Sequence, residues 1–200
     1  MMTMNCAHFW RCAARVLGVV GLMVCMAACG SGSSRGGGGL NGGALTLADV
    51  LPSNAQAIEL EIGGIDSAKI SGIKLSRSEP KADNIWKGQV IGDKVSGLPK
   101  DGWGEPDSKE YTLTGTVTFR EGNEGGVIME CEGPGNLSEG KAYLEMAQVE
   151  IELIERTEES VQFRLRDASR VWLRYRGDEG TEFHDITSEV QQAVFTMRFN

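Results

Sequence analysis

From residue 57 to the end, apolar and polar residues alternate in short runs. In "EYTLTGTVTF" (110–119), Tyr111, Leu113, Val117 and Phe119 take one set of positions and Thr112, Thr114, Thr116 and Thr118 the other. This period of two is that of a half-buried strand. Gly115 interrupts the apolar set and marks a bend or a point of close packing. "REGNEGG" (120–126) then supplies a turn and "VIMECE" (127–132) a returning strand. Further strands are expected at "AIELEI", "KISGIKLS", "WKGQVIGDKV", "AYLEMAQVEIELIE", "SVQFRLRD", "RVWLRYR" and "AVFTMRF".

The run from Ala142 to Glu155 changes phase, because Leu144 and Met146 are even whereas Val149, Ile151 and Leu153 are odd. A bulge near Ala147 reconciles the two halves. "LTLADVL" (45–51) before Pro52 reads as a single helical turn, and no long amphipathic helix is expected. About eight to ten strands joined by short polar turns define an all-β fold, a single antiparallel β-barrel or β-sandwich.

The first 28 residues have another pattern. "MMTMNCAHFWRCAAR" holds Arg11 and Arg15 and no acid, and "VLGVVGLMVCMAA" is uncharged. That run is too short for a bilayer-spanning helix, which needs about 20 apolar residues; the layout is that of an export signal. The four residues "MAAC" (26–29) resemble the lipobox of bacterial lipoproteins. The resemblance covers the first thirty or so residues and implies that residues 1–28 are removed and Cys29 carries acyl chains in a membrane. "GSGSSRGGGG" follows, as a flexible tether would, so residues 29–43 are expected to be tether and 44–200 the β-domain. Gly30 and Ser31 stand where an Asp is absent, similar to the sorting pattern of outer-membrane lipoproteins. The bacterial cell envelope is the implied location, with the outer membrane favoured over the inner. The strand phrases also resemble, diffusely, small β-rich lipoproteins, some of them lipocalin-like.

Charge narrows the partners. The formal net charge is −8, and loss of Arg11 and Arg15 with the leader takes it to −10. Such a surface repels nucleic acid and anionic headgroups. Of five cysteines only Cys131 would remain free after cleavage and acylation, which excludes an internal disulfide. Cys131 shares a face with Val127 and Met129, so a buried, inert thiol is expected. His184 is the one histidine beyond the leader, which removes any His–His metal site.

The most unusual stretch is "FRLRDASRVWLRYRGDEG" (163–180), with five arginines in an otherwise acidic chain. A hairpin through "DAS" would set Arg164 opposite Trp172 and Arg166 opposite Arg170. Arg164, Arg174 and Trp172 are candidate ligand-binding residues, because guanidinium forks hold carboxylates and sulfates and an indole offers a stacking plane. The alternative is structural: Glu150 and Glu152 of the preceding strand pair with the arginines across the sheet. Trp103, between two glycines, is a further candidate for stacking on a sugar. "RGD" (176–178) falls where a turn needs Gly and Asp anyway.

No G-x-S-x-G, H-E-x-x-H or phosphate-binding glycine loop is present. No cofactor, metal or catalytic residue is implied. The expectation is a lipid-anchored, non-catalytic binding or assembly module whose partner is a glycan, an apolar small molecule or an envelope protein. The alternatives are a small carboxylate-dependent hydrolase and a structural subunit of an envelope complex.

Overall fold

A computed structural model describes residues 44–63, 65, 68–70, 72–79, 82–92, 94–100 and 104–199. They belong to one compact unit, Gly42–Asn200. The leader, Cys29, the tether and Trp103 lie outside the described residues.

The fold is all-β, and its centre is a closed antiparallel barrel of eight strands. Its circuit runs from β1 (Ala57–Gly63) to β2 (Ile73–Arg77) and β3 (Ile85–Val90). It then skips the two-residue β4 (Lys94–Val95) and β5 (Tyr111–Thr114) to reach β6 (Thr116–Glu121), β7 (Val127–Glu132) and β8 (Lys141–Arg156). β9 (Ser160–Arg166) pairs with β8 and with the last strand, β12 (Val194–Phe199), which closes on β1. Closure leaves these eight strands no free edge.

Alternation decides which side chains enter the barrel. Ile58, Leu60 and Ile62 of β1 stand opposite Phe199, Met197 and Phe195 of β12. Phe119 stands between Trp86 on one side and Met129 on the other. Rings cross the interior in sequence: Trp86 to Phe119 and Phe119 to Phe163, each at 6.2 Å between centroids, then Phe163 to Phe195 at 5.1 Å. These four side chains are buried, so the lumen of this narrow barrel is occupied by its own residues. The Trp86 Nε1–H donates to the Ala55 carbonyl at 3.2 Å, giving the indole the partner it needs. The outer wall carries Glu59, Glu61, Lys74, Lys87, Glu150, Glu152, Arg164 and Arg198. Charge outside and hydrocarbon inside is the inverse of a barrel that sits in lipid.

A second sheet grows from the barrel at the amino-terminal half of β8. Here β8 pairs on one side with β5, in parallel, and on the other with β10 (Val171–Arg176). β4 extends it beyond β5, and β11 (Thr181–Asp185) beyond β10, giving the order β4-β5-β8-β10-β11. Two interruptions make this possible. At Gly115 the strand expected over 110–119 is in fact two: β5 belongs to the mixed sheet and β6 to the barrel. Gly115 has φ +131°, and a β-carbon there would stand 2.8 Å from the Glu132 carbonyl oxygen, so both conformation and space require glycine. On β8, the register slips between Met129↔Val149 and Cys131↔Met146. The extra residue is the bulge expected near Ala147, and it turns β8 from one sheet into the other.

The hairpin through "DAS" does not form. β9 and β10 lie along the same side of β8, at different heights, and pair with β8 rather than with each other. Arg166 therefore faces Glu150 and Arg164 faces Glu152, while Trp172 faces Glu145 and Asp185. The reason is β8's length, since a 16-residue strand offers two successive pairing sites.

Two short helices close the ends. α1 (Leu47–Val50) is the expected single turn. The Asp49 carboxylate accepts from Thr46 N and Oγ1 at 2.9 and 2.6 Å. It also lies 3.7 Å from Arg156 at the carboxyl end of β8. α2 (Thr187–Gln192) carries the chain from β11 back to β12. Thr187 Oγ1 accepts from Val171 N at 2.9 Å, and Gln191 Nε2 donates to the Ala168 carbonyl at 2.6 Å.

Candidate functional site

The outer face of the mixed sheet gathers the side chains most suited to contact with another molecule. Cross-strand register sets Thr114, Tyr143, Arg174 and Phe183 in one row, and Glu145, Trp172 and Asp185 in the next. Trp172 and Phe183 meet edge to face, 5.6 Å between centroids at 73°. Phe183 is 43% exposed and Trp172 is half-buried, so the pair is an aromatic platform open to solvent.

Arg174 lies between this pair and the rest of the sheet, and its hydrogen-bonding capacity is directed inward. Its Nε donates to Glu145 Oε1 at 2.6 Å, and one Nη donates to the Pro134 carbonyl at 2.6 Å. The guanidinium carbon stands 5.4 Å from the centre of the Tyr143 ring. With its side chain 11% exposed, Arg174 is a bracket that ties the β7–β8 loop to the sheet. Arg166 is paired with Glu150 at 3.4 Å. Arg164 is exposed on the barrel wall, on the far side of the β8 bulge from Trp172 and Arg174. Of the four candidate residues, then, the fold brings Trp172 and Arg174 together, separates Arg164 from them, and leaves Trp103 outside the described residues.

Beside Tyr143, at the seam between barrel and mixed sheet, is a groove of about 470 Å3. Such a volume is within the ordinary range for small-ligand sites. Its walls carry Gln89, Thr114, Thr116, Glu132, Ser138 and Lys141, with Gly115 and Gly133 in the floor. A β-carbon on Gly133 would stand 2.8 Å from Tyr143 Cβ and 3.0 Å from an Arg174 nitrogen. The rim is fixed by Ser138 N donating to the Tyr143 hydroxyl at 3.4 Å. Gln89 Nε2 donates to Thr116 Oγ1 at 3.1 Å. Among the described residues, Glu132 and Lys141 have no ion-pair partner, and the hydroxyls of Thr114 and Ser138 have no hydrogen bond.

Sequence reasoning missed Phe183 and this groove. Phe183 was findable, since "TEFHD" (181–185) follows a Gly-rich turn and alternates. The groove depends on a parallel β5–β8 contact between residues far apart in the chain, which no local pattern encodes.

The remaining candidates are placed clearly. Cys131 is buried in β7, and burial with the nearby Glu130 charge pushes its thiol up to about 12. His184 faces the other side of β11, opposite Leu173, and burial draws its pKa down against the opposing pull of Glu189 and Asp185. Arg176 ends β10, and Gly177 and Asp178 form the expected turn, with Gly177 N donating to the Gly180 carbonyl at 2.9 Å. Among the described residues no group of three or more His, Cys, Asp or Glu side chains is arranged to hold a metal ion. No helix among them is long and apolar enough to cross a membrane. No family model, curated protein or solved structure matches the chain.

Proposed function

We propose that the chain is a lipid-anchored protein of a bacterial envelope, held by acyl chains on Cys29, whose β-domain is a non-catalytic binding module. The anchor rests on "MAAC" and the Gly/Ser tract behind it. The binding reading rests on one observation above all, the solvent-open Trp172–Phe183 pair on the outer face of the mixed sheet. Exposed aromatic pairs are costly to leave in water and serve as contact surface. The occupied barrel interior supports recognition at this outer surface. For the hydrolase alternative a cleft needs two converging carboxylates, whereas Glu132 is the one carboxylate among the described residues lining the seam groove.

The test uses the full chain expressed in a Gram-negative host. Palmitate label on Cys29, membrane fractionation, and release of the Cys29→Ala protein from the membrane are expected. The detergent-purified protein is then melted against glycans, fatty acids and divalent cations. A ligand-dependent rise in melting temperature that disappears in Trp172→Ala supports the module. An unlabelled Cys29 in the soluble fraction overturns the anchor. A flat panel, with the protein recovered in a fixed complex, assigns it instead as a structural subunit.

A further inference from the structure

Among the described residues β11 pairs with β10 and with no other strand, so it is an open edge of the mixed sheet. Hydrogen bonds at the two ends of that pair fix the phase of the ladder: Gly177 N donates to the Gly180 carbonyl at 2.9 Å and Ile186 N to the Val171 carbonyl at 3.0 Å. Bonded pairs alternate along an antiparallel ladder, so Glu182 and His184 direct their backbone groups at β10. Thr181, Phe183 and Asp185 direct theirs outward, and all three residues are exposed. Sheets commonly blunt such edges with very short strands, Lys, Pro or bulges. The opposite edge, β4, is two residues long and one of them is Lys94. β11 has five residues and no Lys, Pro or bulge.

We propose that this edge pairs antiparallel with the same edge of a second copy of the chain, centred on Phe183. The strand "TEFHD" (181–185) is complementary to its own reverse. In that register Phe183 stands beside Phe183 of the second copy, Glu182 beside its His184 and Thr181 beside its Asp185. Aromatic meets aromatic, carboxylate meets imidazole, and hydroxyl meets carboxylate. The outward N–H and C=O groups of Thr181, Phe183 and Asp185 all gain partners. Sliding the second copy by two residues keeps those backbone groups in phase but loses the match. One way sets Glu182 against Glu182 of the second copy, and the other sets Phe183 against a carboxylate, Asp185. A two-fold axis normal to the sheet keeps both Phe183 rings on the outer face, where each meets Trp172 of its own chain at 5.6 Å. Pairing thus covers part of a ring that is 43% exposed in the single chain. The contact is small and each copy carries a net charge of −8, so the association is reversible and depends on concentration. It rests on the backbone edge and is independent of ligand recognition by the aromatic pair.

Cysteine cross-linking of the detergent-purified full chain tests the edge and its register together. Thr181 and Asp185 are about 13 Å apart along one strand. Across the two copies they are neighbours, with α-carbons about 5.5 Å apart, a spacing that a disulfide bridges. A mixture of Thr181→Cys and Asp185→Cys proteins should therefore form a linked pair on mild oxidation, at about tenfold the yield of either variant alone. Cys131 is buried and stays out of this reaction. Sedimentation of the unsubstituted chain should show a dimer that grows with concentration. Phe183→Lys and Phe183→Glu should each be monomeric alone, because like charges meet at the centre, and should form a dimer when mixed. That recovery also shows that both variants fold. An unsubstituted chain that stays monomeric at every concentration overturns the proposal, whether or not another protein's strand occupies the edge. So does cross-linking of the mixture that is no better than that of the single variants. The same holds if Phe183→Lys forms a dimer as readily as the unsubstituted chain, or if the Lys and Glu variants stay apart when mixed.

Discussion

The Trp86 indole fills the place that a β-carbon on Gly88 would take, two residues along the same inward face of β3. The ring folds over its own strand because glycine leaves room, and from there it reaches Phe119 and the Ala55 carbonyl. Gly88→Ala should therefore destabilise the protein by about 1–3 kcal/mol through overpacking. Replacing the indole as well, in Gly88→Ala/Trp86→Leu, should cost less than the two single changes added together. Chemical denaturation of the four proteins checks this; strict additivity would mean that the ring moves aside freely.

The arginines of the 163–180 stretch should behave unequally. Arg174→Ala breaks two charge-assisted hydrogen bonds and a ring contact in a shielded position, with an expected loss of about 2–3 kcal/mol. Arg164→Ala alters an exposed side chain and should stay within about 0.5 kcal/mol. Equal effects in thermal or urea unfolding would contradict the bracket role assigned to Arg174.

Cys131 should resist alkylation in the folded state. Its thiol is buried in β7 and its pKa is pushed up to about 12, so thiolate is scarce at neutral pH. Iodoacetamide followed by peptide mapping should find Cys131 unmodified in buffer and modified in denaturant. Rapid native labelling would mean that β7 opens locally.

Acid should weaken the fold in two stages. His184 is held below its ordinary 6.5 chiefly by burial, so below that pH the unfolded chain takes up a proton that the folded one refuses. The Asp49 carboxyl is held below 3.8 by hydrogen bonds from Thr46, with Arg156 assisting, and that of Asp185 by hydrogen bonds from Thr187. These two favour folding above 3.8 and lose that contribution as the pH falls through their lowered values. The melting temperature should thus decline first below 6.5 and again below 3.8. His184→Gln should remove the first decline, and Asp49→Asn should shrink the second; an unchanged profile in both would refute the assignment.

Much of the barrel was legible in the sequence because its determinants are local. Alternation in "AIELEI" and "VIMECE" set the inward faces of β1 and β7, and the phase change in 142–155 located the bulge. What escaped was long-range. Whether β9 turns back on β10 or both line up along β8 depends on the length of β8 and on α2 returning the chain to β12, not on "DAS" itself. For the candidate site, the same limit applied. Trp172 and Arg174 are on one strand, so their shared face was readable, whereas Phe183 and the groove arise from neighbours chosen by tertiary pairing.

β8 is a common beam: its carboxyl half is a stave of the barrel and its amino half the central rib of the mixed sheet. At about 3.3 Å per residue, its 16 residues reach roughly 50 Å. Its far end touches α1 through Arg156 and Asp49. This makes β8 a mast, with α1 at its foot and the mixed sheet carried at its other end. Because a single strand builds both parts, neither can be excised as a module. Shortening the mast by even one residue would throw the pleat of the sheet out of step with that of the barrel.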